Sequence, residues 1–407
     1  MVKFLHAADL HLGMRVTRFD EAACNRIGEA RFAALEQLRA KAIEHQVQFI
    51  LIAGDIFDDH SVSHHIAERA FTVFEGKSLP CPVYLIPGNH DPLTPGGVWD
   101  REPWLRAQPT KHVHLLREAV AVPIPDLPVT LFPCPLRNRN SIDDPTGWIA
   151  NHPRSNGDNF IRIGLAHGSL NLFPNLPLDD HLIRRDAAEH YGLDYLALGH
   201  WHKPLTLPSS DGIIRTVYSG THEPMRFPGA GAALSTGWSS YSGDGDAERF
   251  HDEGIGTAML VTIDGPGTPA MIEKIVVGRL RWAAEQRDLS SHSVGEVISE
   301  FAQWPDLERV LLRLQLSGVT EPPNHARIAE VLVPIIRDRY HSGSIVDADR
   351  VLIKPNTDQL KDTVGDGVLN KVLVRLTEES QAGDPAIQRV AEHALKLLYR
   401  IAWEEKA

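Results

Sequence analysis

Short apolar runs that stop abruptly at histidine, aspartate or asparagine recur through the first half of the chain. Phe49-Ile50-Leu51-Ile52 reads as a buried strand and leads into Ala53-Gly54-Asp55-Ile56-Phe57-Asp58. Phe4-Leu5-His6-Ala7-Ala8 leads into Asp9 and His11, and Val83-Tyr84-Leu85-Ile86 into Gly88-Asn89-His90-Asp91. Ile161 to Ala166 leads into His167-Gly168, and Tyr195-Leu196-Ala197-Leu198 into Gly199-His200-Trp201-His202. One such event is weak. Repeated with one polarity, they point to a site built from the C-terminal ends of neighbouring strands, where open α/β sheets place their ligands.

The pattern between these strands predicts helices. Ile27, Ala30, Leu35, Leu38 and Ile43 keep helical spacing over roughly 21–45, and Ser61 or Ser63 can cap a helix through Ala67, Phe71 and Phe74. Residues 1 to about 90 therefore read βαβαβ. Val113 to Leu116 and Val129 to Phe132 read as strands. The polar stretch from Arg137 to Asn159 reads as a surface excursion. Gly229 to Gly256 is rich in glycine and serine and reads as a mobile stretch, and Ala258–Ile263 with Met271–Val277 as a closing antiparallel pair.

The pattern changes near Gly278, beyond which no metal-type motif recurs. A helix over 293–301, a strand through Val310, Leu312, Leu314 and Leu316, a helix capped by Asn324 and kinked at Pro334, and a strand over 346–353 make a small α/β module. The tail reads as helical from Asp362. Asp384-Pro385 gives a cap and first turn, and Ile387, Val390, Ala391, Ala394, Leu397, Leu398, Ile401 and Ala402 form one apolar stripe. The expected division is 1–278, a capping module at 279–355 and a helical tail at 356–407. The stripe packs on the chain's own body or docks a partner helix.

With 407 residues, more than one core is expected. The three cysteines, Cys24, Cys81 and Cys134, are scattered, which argues against a disulfide framework and for a reducing, cytoplasmic setting. No apolar run is long enough to span a bilayer. The net charge of -12 counts against a broad, non-specific grip on nucleic acid, but metal-site carboxylates inflate the acidic total and a local basic surface can hide in it.

The candidate ligands are Asp9, His11, Asp55, Asn89, His167, His200 and His202. Imidazole, carboxylate and amide donors without thiolate suit Mn²⁺, Fe²⁺ or Zn²⁺. Seven are too many for one tetrahedral ion and enough for two, with the central Asp55 as the bridge. Two such ions about 3.5–4 Å apart form a clamp for in-line displacement at phosphorus and acidify water near neutral pH. His90 is left over, placed to donate a hydrogen bond to the phosphoryl group or protonate the leaving oxygen, with Asp58 as its orienting partner. His6 and Asp91 read as structural, and His60, His64 and His65 as a solvated helix start.

The ordered series Asp-x-His, Gly-Asp-x-x-Asp, Gly-Asn-His-Asp, Ala-His-Gly and Gly-His-x-His resembles the calcineurin-like metallophosphoesterases over residues 1 to about 278. His6 to Gly13, Gly54 to Asp58, Ala166 to Ser169 and Tyr218-Ser219-Gly220 followed by Glu223 look like the SbcD-type DNA-repair exonucleases. The resemblance implies a four-layer αββα sandwich with a small α/β cap and a helical tail. It implies Asp9, His11, Asp55 and His202 around one ion, and Asp55, Asn89, His167 and His200 around the other. It also implies Mn²⁺ as the usual metal, with Mg²⁺ as a further alternative, and DNA as substrate. An SbcC-like coiled-coil ATPase partner and a homodimer follow from the same likeness. The competing expectations are a phosphodiesterase for nucleotides or other small esters, and a silent scaffold, which would need a lost ligand.

Overall fold

The structure is a computed structural model of the chain. It describes residues 1–16, 19–76, 81–106, 112–155, 157–172, 177–178, 180–228, 254–341, 343–353, 367–381, 384, 387–391, 393–395 and 398. The chain divides into two compact units, Met1–Trp282 and Ala283–Ala407. The change of pattern at Gly278 lies inside a long strand, Met271–Asp288, that crosses this division.

In the first unit, strands β1 (Val2–Ala7), β2 (Phe49–Ala53), β3 (Val83–Ile86) and β4 (Val113–Leu115) run parallel side by side. The strand Ile255–Ile263 pairs antiparallel with β1, and the long strand with it in turn. A second sheet is built on parallel strands Val129–Cys134, Ile161–His167, Tyr195–Gly199 and Ile214–Tyr218, with Val122–Pro123 and Leu205–Pro208 as antiparallel edges.

Side-chain alternation sorts these residues into layers. On β2, Phe49, Leu51 and Ala53 join Phe4, Tyr84, Leu131, Ile163 and Tyr195 in a core between the sheets. Ile50 and Ile52 point the other way, onto helices α1 (Glu21–Glu44) and α2 (His64–Glu75), through Phe32, Leu35, Phe71 and Phe74. The far face of the second sheet buries Leu196 and Leu198 against Ala187, Tyr191 and Ile149. The result is a four-layer αββα sandwich. Buried on both faces, the central strands carry continuous apolar runs, which is why they stand out in the sequence.

Asp20 caps α1 through the Ala23 N–H, and Ser63, not Ser61, caps α2. The polar excursion is tied down: Arg154 makes paired bonds to Asp194 and Arg137 pairs with Glu118. The glycine-rich stretch at 229–253 lies outside the described residues.

The second unit has its own core. Its helix Val294–Ala302 starts with a capping box between Ser293 and Glu296, and buries Val297 and Phe301 beside Leu312, Leu314 and Leu316. The strand Val310–Thr320 runs parallel to Ile345–Ile353. Asn324 does not cap the next helix: Pro322 and Pro323 already occupy its first turn, after Glu321. Proline lacks an N–H and fits there without loss. Pro334 follows a π-helical segment, Ile328–Leu332, the wider register that makes room for its ring, so the expected kink is a π-bulge. In the tail a helix spans Val368–Ser380. Asp362, Pro385, Leu397, Ile401 and Ala402 lie outside the described residues. Of the rest of the stripe, Val390 is exposed and Ala391 and Leu398 are buried. Among the described residues no helix is long and apolar enough to cross a membrane.

Candidate dinuclear metal centre

Each strand end delivers its polar residue to one place. The turn after β1 is laced to the turn after β2 by bonds from Asp9 N–H to the Gly54 carbonyl and from His11 N–H to the Asp55 carbonyl, at 3.1 and 3.0 Å. Asp9, His11, Asp55 and His200 all have positive φ, between 43° and 101°. Such backbone strains a non-glycine residue by about 1–3 kcal/mol, and it gathers where function over-determines the chain. Glycine is required beside them. A Cβ on Gly54 would stand 2.3 Å from the His167 ring, and one on Gly88 2.2 Å from Asp55 Oδ1.

Three overlapping groups could each hold an ion: Asp9, His11 and His202; Asp9, Asp55 and His167; and His11, Asp58 and His90. Asn89 Oδ1 lies 2.9 Å from His167 Nε2 and 3.2 Å from His200 Nδ1. Asp55 Oδ2 lies 3.3 Å from His167 Nε2 and 3.6 Å from His11 Nε2. All seven residues singled out in the sequence therefore sit together, Asp55 at the middle.

Hydrogen bonds fix which ring nitrogens face inward. His167 Nδ1–H donates to the Ala53 carbonyl at 2.8 Å, turning Nε2 toward Asp55 and Asn89. His11 Nδ1–H donates to Asp58 Oδ1 at 3.0 Å, which leaves its buried Nε2 without a hydrogen-bond partner and facing Asp55. An orphaned imidazole nitrogen aimed at a buried carboxylate, in a set of oxygen and nitrogen donors, fits a divalent cation.

The charges are strongly coupled. Burial pushes Asp9 up to about 7. Burial also works to raise Asp55, but His167, His11 and His90 outweigh it and hold that carboxyl far below its ordinary value. Burial opposes charge on His167, yet Asp55 and Asp9 carry it up to about 9. A proton on His167 satisfies the surrounding oxygens, and so would a metal cation, so the two compete. His11 and His202 are shifted down, first by burial.

His90 sits beside this set. Its ring meets His11 at 4.7 Å and its N–H donates to Asp55 Oδ1 at 2.8 Å. Its Nδ1–H donates to the main-chain carbonyl of Asp58, also at 2.8 Å, leaving Nε2 to hold or release a proton. Asp58, the expected orienting partner of His90, meets it through this main-chain carbonyl. The carboxylate serves His11, and only the backbone of Asp58 orients His90.

His6 and Asp91 are structural neighbours of the site. His6 Nδ1 lies 3.0 Å from the Tyr195 hydroxyl, and Asp91 accepts the N–H groups of Phe57 and Gly88 at 2.9 and 2.7 Å. Two supporting residues escape the sequence pattern. Asp180 accepts from Ser169 and faces His200 Nε2 at 3.2 Å, fixing that ring; nothing in its loop signals this. Arg31 is buried and donates to the carbonyls of Leu10, Glu223 and Pro224. Its signal is a cation on the core face of α1, in step with Ile27, Leu35 and Leu38.

Residues 2–204, about half of the chain, match the calcineurin-like phosphoesterase family model. The chain belongs to that family. It is 30% identical over 240 residues to an uncharacterized metallophosphoesterase, YhaO, of Bacillus subtilis, covering 56% of this chain and 52% of that protein. It is 25% identical over 226 residues to the DNA double-strand break repair protein Mre11 of Methanocaldococcus jannaschii, covering 54% of this chain and 56% of that one. The chain spans about half the length of these curated relatives. Among solved structures, yellow lupin purple acid phosphatase PPD1 aligns at a TM-score of 0.42 and 13% identity, over 68% of this chain and 51% of the other.

Proposed function

We propose that this chain is a metal-dependent phosphodiesterase that cuts DNA, as a nuclease of DNA-end processing or double-strand-break repair. The observation that carries the hydrolytic reading is the overlap of two donor groups at Asp9, with Asp55 Oδ2 between the His11 and His167 rings and His90 alongside. Asp9, His11, Asp55 and His202 would hold one divalent ion, and Asp55, Asn89, His167 and His200 the other. When bound, the ions supply charge neutralisation at the phosphoryl oxygens and an acidified water.

The chain's own residues set the rest. Asp58 and the Ala53 carbonyl lock the tautomers of His11 and His167. Asp180 fixes His200. His90, held by the Asp58 carbonyl, presents Nε2 to the phosphoryl group or to the leaving oxygen, where it donates a proton.

The nuclease reading draws support from the relative named Mre11 and from Tyr218-Ser219-Gly220 with Glu223. In the structure the Tyr218 hydroxyl donates to the Gly168 carbonyl and accepts the Leu170 N–H, so this motif braces the turn that bears His167. An SbcC-like ATPase partner, a homodimer and Mn²⁺ as the working metal belong to the same proposal. The net charge of -12 favours the second reading, a phosphodiesterase for nucleotides or small esters. Mn²⁺-dependent release of nucleotides from linear DNA, measured beside hydrolysis of bis-p-nitrophenyl phosphate, decides. Activity on both supports the nuclease. Activity on the small ester alone leaves the second reading, and activity on neither overturns both.

A further inference from the structure

The turns that carry His167 and His200 also carry Ser169 and Trp201, both buried. Trp201 Nε1–H donates to the Ser169 hydroxyl at 3.0 Å, and that hydroxyl donates to Asp180 Oδ2 at 2.5 Å. His200 Nε2 lies 3.2 Å from Asp180 Oδ1 and 3.3 Å from Oδ2. The direction of this chain of bonds follows from its first member, because an indole N–H can only donate. Ser169 accepts from Trp201 and has its one proton left for Asp180. The Asp180 carboxylate only accepts, so the proton between it and His200 belongs to His200 Nε2. Nδ1 of the same ring is then a bare lone pair, 3.2 Å from Asn89 Oδ1. His167 Nε2 meets the same oxygen at 2.9 Å, its Nδ1–H being given to the Ala53 carbonyl. With His167 neutral, lone pairs from both rings and from Asn89 converge with no donor facing them, a need that a divalent cation meets.

The network is held in place from all sides. Ser169 N–H reaches the Asp180 carbonyl at 3.4 Å, and the next residue, His181, donates its N–H to the Ser141 carbonyl at 3.1 Å. Gly168 lets the two segments touch: a Cβ there would stand 2.3 Å from the His181 carbonyl oxygen. The Trp201 ring stacks on Tyr218 with centroids 4.5 Å apart, and the Tyr218 hydroxyl in turn bonds Gly168 and Leu170. The side chains of His200 and Asp180 are only 17% and 23% exposed, so little water competes for the bond between them.

We infer that Asp180 is a positioning residue whose polarity is set by Trp201 through Ser169, and that together they make His200 offer Nδ1 rather than Nε2 to the ion it would share with Asn89 and His167. The inference rests on that ligand assignment and adds what selects the donor atom. It gives a part to the middle residue of Gly-His-Trp-His and to the serine that follows Ala-His-Gly.

Asp180→Asn is the test, because an amide has an oxygen end and a nitrogen end. The Ser169 proton claims the oxygen, which turns the NH₂ group toward His200 Nε2 and drives the ring's proton to Nδ1. Long-range proton–nitrogen spectra of the metal-free, ¹⁵N-histidine-labelled full chain read this directly at about pH 8, where an ordinary imidazole is neutral. The His200 signals are those lost in His200→Gln. The proton should sit on Nε2 in the wild type and on Nδ1 in Asp180→Asn. In Mn²⁺ calorimetry, Asp180→Asn should weaken one of the two ions by about 10–100-fold and spare the other. Trp201→Phe added to Asp180→Asn keeps a ring on Tyr218 and frees Ser169 to accept from the amide, so the oxygen can turn to His200. This double variant should return the proton to Nε2 and bind the weakened ion about 2–10-fold more tightly than Asp180→Asn does. Ser169→Ala in place of Trp201→Phe should act alike, and it carries the test if melting shows that Trp201→Phe does not fold. Residues that only hold the loop would give additive losses instead. A proton on Nδ1 in the wild type overturns the inference, as does a folded double variant that binds no more tightly than Asp180→Asn. If the wild type takes up fewer than two ions, the ligand assignment falls, and the tautomers of the metal-free chain still decide the network.

Discussion

Asp58→Ala removes the acceptor of His11 Nδ1–H and spares the Asp58 carbonyl that orients His90. Without the carboxylate, His11 loses the bond that keeps its proton on Nδ1. The alternative tautomer puts the proton on Nε2, 3.6 Å from Asp55 Oδ2, where a cation would otherwise be held. Loss of an outer partner of a ligating histidine lowers metal affinity by about 10–100-fold, or ~1.4–2.7 kcal/mol. The Asp58 side chain is 30% exposed, so water replaces part of the lost bond. The expected loss is therefore at the lower end, about 10–30-fold, and confined to the ion held by Asp9, His11 and His202. Asp58→Asn keeps an acceptor oxygen and should lose less. Mn²⁺ titration followed by calorimetry reads both sites, and turnover at saturating Mn²⁺ should recover most of the wild-type rate. Unchanged affinity at both sites together with a fall of more than about 100-fold in kcat would refute the reasoning, because Asp58 would then be acting through His90.

Asp55→Asn keeps an oxygen for the His90 N–H but removes the shared charge, so the fold should persist while both ions weaken and turnover is lost; two tight sites in a metal titration would contradict this. His90→Asn should keep its metal and lower turnover by about 10²–10⁴-fold, and loss of an ion would make His90 a ligand instead. Gly88→Ala drives a methyl group into Asp55 and should cost about 1–3 kcal/mol and the metal; a variant with wild-type melting temperature and metal content would rule the clash out. Burial lowers His6 and His222 to about 3, so each favours the folded state above pH 6.5 and loses that contribution as pH falls toward 3. At about pH 5 this amounts to ~2 kcal/mol apiece. His222→Gln should reduce the slope of stability against pH between about 5 and 6.5 by about one proton in urea titrations, and an unaltered slope would show that His222 titrates normally.

Asp9, His11, Asp55, Asn89, His90, His167, His200 and His202 are legible in the sequence because each closes a buried strand. Such a strand must be apolar along its whole length, so its first polar residue marks the edge of the sheet. Parallel strands bring those edges to one side, and the order of motifs along the chain then lists the neighbours of one site. The cap at Ser63, one of the two serines the sequence offers, is legible for a similar reason, since the bond it makes is local.

The tertiary structure alone decides whatever depends on distance between elements far apart in sequence. The choice of Asp58 between His11 and His90 turns on which oxygen, carboxylate or carbonyl, each ring meets. Asp180 meets His200 across a loop without periodicity. The buried charge of Arg31 becomes intelligible only when the carbonyls of Leu10, Glu223 and Pro224 converge on it, because hydrogen-bond satisfaction is a property of the assembled interior. Apolar patterning specifies which residues face inward. It carries no information about the rotamers and protons on which the chemistry turns.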